Sequence, residues 1–245
     1  YEYHNHQFGE LVGIEFALGT FKKFKSALTS LKKYIEWKFK RPDIFLSELN
    51  HQFLTDYEFY LKSIQGMQHN SALNNIKKLK KIIRLCLANK WIESDPFFNY
   101  KMHIKQTHRV YLHQSELDIL INRDFSLQRL QQVKDIFLFS CFTGLSYSDV
   151  MKLTIKDLSP GVDGDTWIFV RRTKTDMDAR IPLLPSARNI LAKYEHHPSL
   201  SVNKKLLPQL SNQRLNSSLT EIADACGCNK ELTFHCARHT FATTI

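Results

Sequence analysis

His235 and Arg238 stand three residues apart in TFHCARHTF, residues 233–241. That spacing is about one helical turn, so the two side chains share a face. Two more cations fall in TWIFVRRTKT, residues 166–175, where Arg172 and Lys174 are two apart. On a continuing strand they project from one side while Arg171 points away. A lone H-x-x-R, or a lone Arg-x-Lys on a hairpin, is commonplace. Together they make a set of cations and one imidazole suited to something anionic.

Other chemistries fit less well. Cys226, Cys228, His235, Cys236 and His239 form a cluster, but it contains only one C-x-C. Structural zinc sites usually grip with two knuckles of residues two to four apart. No G-x-S-x-G elbow occurs, and the eight glycines form no phosphate-cradling loop of the Walker or dinucleotide kind. No metal or other cofactor is expected.

Composition narrows the partner. Lys and Arg number 34 against 24 Asp and Glu, a net charge of +10. Residues 1–107 hold 17 of the basic and 10 of the acidic side chains, net +7; residues 108–245 hold 17 and 14, net +3. A basic excess gathered in one part points to a polyanion, nucleic acid before a membrane surface. Five cysteines, an odd number, read as reduced thiols of a cytosolic protein. No signal peptide is visible, and no apolar run approaches the ~18 residues of a membrane span. The chain begins at Tyr1 without a methionine, so it is expected to be a piece of a longer protein.

The elements that must carry these residues are mostly helices. Apolar residues at 14, 18, 21, 24, 28, 31 and 35 predict a helix from Ile14 to about Lys40, ended by RPD at 41–43. A second helix is predicted over Leu46–Ile64. A third runs to about Asn89, capped by Asn70 or Ser71, with an apolar stripe of Ile76, Leu79, Ile82, Ile83 and Leu87. Lysines crowd the first and third helices, and Lys22, Lys25, Lys32, Lys77, Lys78, Lys81 and Arg84 are the candidate phosphate contacts. Pro96 stops the pattern, and the polar stretch 99–110 is the candidate linker. Beyond it Ser115 opens another helix, and VKDIFLFSCFTGL (133–145) is an apolar helix ending in Gly144. A hairpin follows at TWIFVRRTKT and DMDARIPLL, and helix returns after Pro185. The expected fold is mainly α with a small antiparallel β-sheet.

Three blocks now combine: FLFSCFTGLSYSDVMKLTIKDL, TWIFVRRTKTDMDARIPL and TFHCARHTFATTI. Together they resemble the motif blocks of tyrosine recombinases, most closely the integrases of conjugative transposons. FLTDYEFYL and NNIKKLKKIIRLCLANKWIESDPF resemble that family's core-binding domain. The resemblance implies a helical, SAM-like core-binding DNA-binding domain over 1–105 and an α+β catalytic domain over 110–245. It implies a site-specific recombinase that cuts DNA through a 3′-phosphotyrosyl bond and rejoins it, integrating or excising a mobile element. Arg238 and His235 would donate to the non-bridging phosphate oxygens, with His235 also a proton acceptor, and Lys174 would protonate the leaving 5′-oxygen. Further implied are double-stranded DNA, a homotetramer on two duplexes, accessory DNA-bending or excision proteins, no membrane, and a bacterial cytoplasmic, nucleoid-associated location.

Two positions depart from the pattern. After TGL most of the family carries an arginine, and here stands Ser146, which brings a hydroxyl and no charge. Either Arg172 supplies the missing guanidinium or it grips a neighbouring phosphate; both readings are open. Asp149 fits the motif's acidic residue and is expected to orient partners. None of the nine tyrosines stands where the nucleophile belongs, some tens of residues after H-x-x-R. The expectation is that the sequence continues beyond Ile245 and that the piece given is inactive. The alternatives are a non-catalytic DNA-binding or regulatory protein on the same fold, and a type IB topoisomerase.

Overall fold

The computed structural model of the chain describes residues 1–174, 176–198 and 204–245. It divides into two compact units, Tyr1–Thr107 and His108–Ile245.

The first unit is helical: α1 (Glu2–Glu10), α2 (Leu18–Phe39), α3 (His51–Phe59) and α4 (His69–Ala88). A single π-type turn, Tyr60–Ile64, extends α3. Its centre is aromatic. Tyr34 lies 5.1 Å from Phe53 and from Tyr57 and 5.4 Å from Tyr60, ring centre to ring centre. Ile76, Leu79, Ile82 and Ile83 on α4 are buried, so the predicted stripe is the core face. Each such side chain contributes roughly 1.5–3 kcal/mol over exposure.

Three boundaries differ from expectation. Ile14 is 82% exposed and lies in a turned segment between α1, which the periodicity missed, and α2. The second predicted helix is broken: a 3-10 turn at Leu46–Glu48 precedes Asn50, whose side chain accepts from the Phe53 N–H at 2.9 Å and starts α3 afresh. Asn70 is not a cap. Its amide donates to the Lys105 carbonyl at 2.8 Å and accepts from the Lys105 N–H at 2.9 Å. With Tyr100 buried, much of the predicted linker stretch is therefore fastened to the first unit.

The second unit is built around α6 (Gln128–Thr143), in which every residue from Val133 to Thr143 is buried. A helix apolar on all sides belongs at the centre of its domain. Around it stand α5 (Gln114–Asn122), α7 (Tyr147–Val150), α8 (Pro185–Lys193), α9 (Asn212–Ala225) and α10 (Phe234–Thr244). The charges that α6 buries are satisfied. Lys134 Nζ donates to the Arg123 carbonyl at 2.6 Å, and Asp135 accepts from the Tyr194 hydroxyl at 3.0 Å and Lys193 at 3.1 Å.

The sheet has three antiparallel strands in the order β1 (Leu158–Pro160), β2 (Thr166–Arg171), β3 (Asp178–Pro182). Ile168 pairs with Ile181 on the buried side. The short β1 went unpredicted. More important for the site, β2 stops at Arg171, so Arg172 and Lys174 sit in the connecting turn and strand alternation does not orient them. Thr175, within the quoted hairpin, lies outside the described residues.

Candidate active site

Helix α10 is seated by its inward residues. Cys236, Ala237 and Thr240 are buried, and Phe234 packs edge-on against Phe137 and Tyr147. The first N–H of the helix, that of Phe234, donates to Asn216 Oδ1 at 2.8 Å. His235 and Arg238 are left on the outward face. Gly144 fixes the approach of the neighbouring chain. Its φ is +65°, and a Cβ there would stand 2.5 Å from Phe241 Cδ1 of α10, so only glycine permits this contact.

Two residues on, Ser146 caps α7 and its hydroxyl donates to Asp149 Oδ2 at 2.7 Å. The other carboxylate oxygen accepts from both the backbone N–H and the hydroxyl of Thr173, each at 2.9 Å. Asp149 thereby clamps the residue between Arg172 and Lys174, where the ladder has ended. Burial pushes its carboxyl up, but the hydrogen bonds from Thr173 and Ser146 outweigh that and hold it below the usual carboxylate range.

The result is one cleft of about 510 Å³ whose wall includes Ser146, Asp149, Arg172, Lys174, His235 and Arg238. All five candidate catalytic positions thus meet. Asp149 is the one carboxylate on that wall among the described residues, and it is already engaged. Arg172, Lys174 and Arg238 form no ion pair among the described residues. His235 is held below its ordinary value by burial first, then by His239, Arg109, Arg238 and Lys174. This favours the neutral imidazole, which has one nitrogen to donate and one to accept. His239 stands edge-on to it at 4.7 Å.

Other lining residues escaped the sequence reading. Asn212, Asn216, Tyr147 and Ser148 reach the cleft, and nothing in local spacing marks an asparagine on one helix as the cap of another. Tyr147 and Tyr194 are committed elsewhere, their hydroxyls donating to the Leu210 carbonyl and to Asp135. The cysteine–histidine cluster is divided: Cys228 turns to Glu116 and Cys236 to the Glu231 carbonyl. Among the described residues no group of three His, Cys, Asp or Glu is placed to hold a metal ion, and no helix is long and apolar enough to cross a membrane.

The seven candidate DNA contacts lie on α2 and α4, which pack together, but they are not equivalent. Lys32 pairs with Glu2. Lys81 Nζ lies over the rings of Phe8, Phe24 and Phe16, at 5.2, 5.2 and 5.8 Å. Lys78 donates to the Asn74 carbonyl at 2.7 Å and is held below the usual lysine range by burial and then by Lys23. Lys22, Lys25, Lys77 and Arg84 are exposed and form no ion pair among the described residues.

Comparison with known proteins follows the same division. Residues 1–102 match the phage integrase SAM-like domain, and residues 111–245 match the phage integrase family. Tyrosine recombinase XerD of Halalkalibacterium halodurans is 26% identical over 233 residues, 87% of this chain and 74% of the relative. A lambda integrase tetramer bound to a Holliday junction superposes with a TM-score of 0.75 at 15% identity, covering 98% of this chain and 70% of that one. The Tn1549 transposon integrase in complex with circular intermediate DNA gives 0.69 at 15% identity, over 94% and 81%. With more than half of its residues matched by the family's own model, the chain belongs to the phage integrase family, the family of the tyrosine recombinases.

Proposed function

We propose that the chain is the core of a site-specific recombinase that cuts and rejoins DNA through a 3′-phosphotyrosyl intermediate, and that the cleft of the second unit holds the scissile phosphate. The observation that carries this reading is the convergence of Arg172, Lys174, Arg238 and His235 on one cleft whose single carboxylate among the described residues, Asp149, is already engaged.

Arg238 and His235 donate to the non-bridging oxygens. As a tyrosine oxygen attacks, the P–O5′ bond breaks and Lys174 gives its proton to the leaving oxygen. His235, neutral beforehand, takes the tyrosine's proton. The 5′-hydroxyl of a second strand then reverses the step, so bond energy is conserved. Arg172 supplies the guanidinium that Ser146 lacks, and Asp149 orients the turn that presents Arg172 and Lys174. The attacking tyrosine belongs after the H-x-x-R helix.

Residues 1–105 serve as the core-binding domain and 110–245 as the catalytic domain. The working assembly is a homotetramer on two duplexes, in the bacterial cytoplasm with the nucleoid. It moves a mobile element with help from accessory DNA-bending or excision proteins. Ser146 in place of a cation favours one rival, a non-catalytic DNA-binding protein. Incubating the full-length gene product with nicked suicide duplexes decides between them. A covalent tyrosine–DNA adduct is expected, and tight binding without any adduct would support the rival.

A further inference from the structure

We propose that Arg109, presented by the extended segment 108–112, forms a second phosphate subsite that takes a phosphodiester adjoining the scissile one. The proposal rests on the recombinase reading of the cleft and adds a backbone contact to it.

The segment is fastened against the catalytic helix. The Leu112 N–H donates to Thr240 Oγ1 at 3.0 Å, and Thr244 Oγ1 donates to the Leu112 carbonyl at 2.6 Å. Leu112 and Thr240 are both buried. From another side, Lys230 Nζ donates to the Tyr111 carbonyl at 3.0 Å and lies over the Tyr111 ring. Leu112 is thus held on α10 at Thr240, the residue that follows His239. Arg109, three residues upstream, is exposed and pairs with no carboxylate among the described residues. Its charge reaches both imidazoles. After burial it is the leading influence against protonation of His239, and at His235 it ranks ahead of Arg238 and Lys174.

Charge balance separates this guanidinium from the scissile phosphate. Arg172, Lys174 and Arg238 against Asp149 leave two uncompensated positive charges on the cleft. That matches a phosphodiester, with its one negative charge and the second that develops as the tyrosine oxygen closes in. Arg109 is a surplus cation beside a site already neutralised. Along a DNA strand the nearest remaining anion is the next phosphate, and a guanidinium is well suited to grip it.

The test uses the full-length gene product and a mixed-sequence duplex, with affinity measured across a salt series. Arg109→Ala should reduce the slope of log affinity against log salt by about 0.9, the loss of one phosphate contact, and Arg109→Lys should restore it. Adduct formation on suicide duplexes at saturating DNA should fall far less than it does for Arg238→Ala. An unchanged salt slope would overturn the subsite. So would a loss of adduct rate of hundredfold or more at saturation, because Arg109 would then act on the scissile phosphate itself. Failure of the wild-type protein to form any adduct would strike the recombinase reading, and the salt slopes would still report on Arg109.

Discussion

The two groups of basic residues differ in how far the protein itself engages them: three of the seven on α2 and α4 have internal partners. On α2 and α4, Lys32 pairs with Glu2, Lys78 is tied to a carbonyl, and Lys81 lies over three phenylalanine rings. In the cleft the protein's polar effort goes to the backbone instead. Asp149 grips Thr173, Asn216 grips Phe234, and Arg172, Lys174 and Arg238, which line the cleft, form no ion pair among the described residues. Cations that meet partners within the protein support the fold, whereas cations carried on an anchored backbone and left without an internal partner are prepared for an external anion. The number of lysines in a segment therefore says less about binding than the partners those lysines already have.

The sharpest way to break this comparison is to remove a cleft cation. Arg238→Ala should lower adduct formation by about 10²–10³-fold, the usual cost of a lost oxyanion donor, while the melting temperature stays near wild type. Lys174→Ala should lose a comparable factor. That loss should be relieved on a substrate whose leaving oxygen is replaced by sulfur, which needs no proton, and Arg238→Ala should gain nothing from the same substrate. For Arg172, alanine substitution should cost about a hundredfold if it replaces the missing arginine, and Ser146→Arg should recover part of that loss. Full cleavage by Arg172→Ala would leave it the weaker role of gripping a neighbouring phosphate.

Asp149 couples the site to stability. Asp149→Ala leaves the Thr173 N–H and two hydroxyls without their acceptor, a cost of about 1–3 kcal/mol, seen as a lower denaturant midpoint. Its carboxyl titrates below its unfolded value, so on acidification the unfolded chain takes up the proton first. The stability it contributes is complete above about pH 4 and fades as pH falls through the folded value. Asp149→Asn should flatten that acid limb.

The smallest effects lie on the helical unit. Lys81→Met should cost about 1 kcal/mol of stability through the lost ring contacts and hardly alter the salt dependence of binding. Lys77→Ala and Arg84→Ala should do the reverse, each lowering the salt slope by about 0.9 with the melting temperature unchanged. If Lys81 carried the larger salt effect, the distinction between committed and unpaired cations would collapse.

What the sequence disclosed follows from the range of each interaction. The stripe on α4, the apolar run of α6, the stop at Gly144 and the shared face of His235 and Arg238 are local patterns, and they read correctly. The start of α3 depended on a single asparagine cap, which a continuous apolar period concealed. Strand alternation would place Arg172 and Lys174 on one face, yet β2 ends before them. They reach the cleft on a turn whose Thr173 is held by Asp149, 24 residues before it. Asn216 was illegible for the same reason, since it caps α10 from another helix.

The central claim is that Arg172, Lys174, His235 and Arg238 surround one phosphodiester. A structure of the full-length protein on a nicked suicide duplex tests it most directly. One phosphate should lie in the cleft with its non-bridging oxygens within hydrogen-bond distance of Arg238, His235 and Arg172, and with Lys174 Nζ on the 5′-bridging oxygen. DNA bound to another face, with no phosphate in the cleft, would contradict the account.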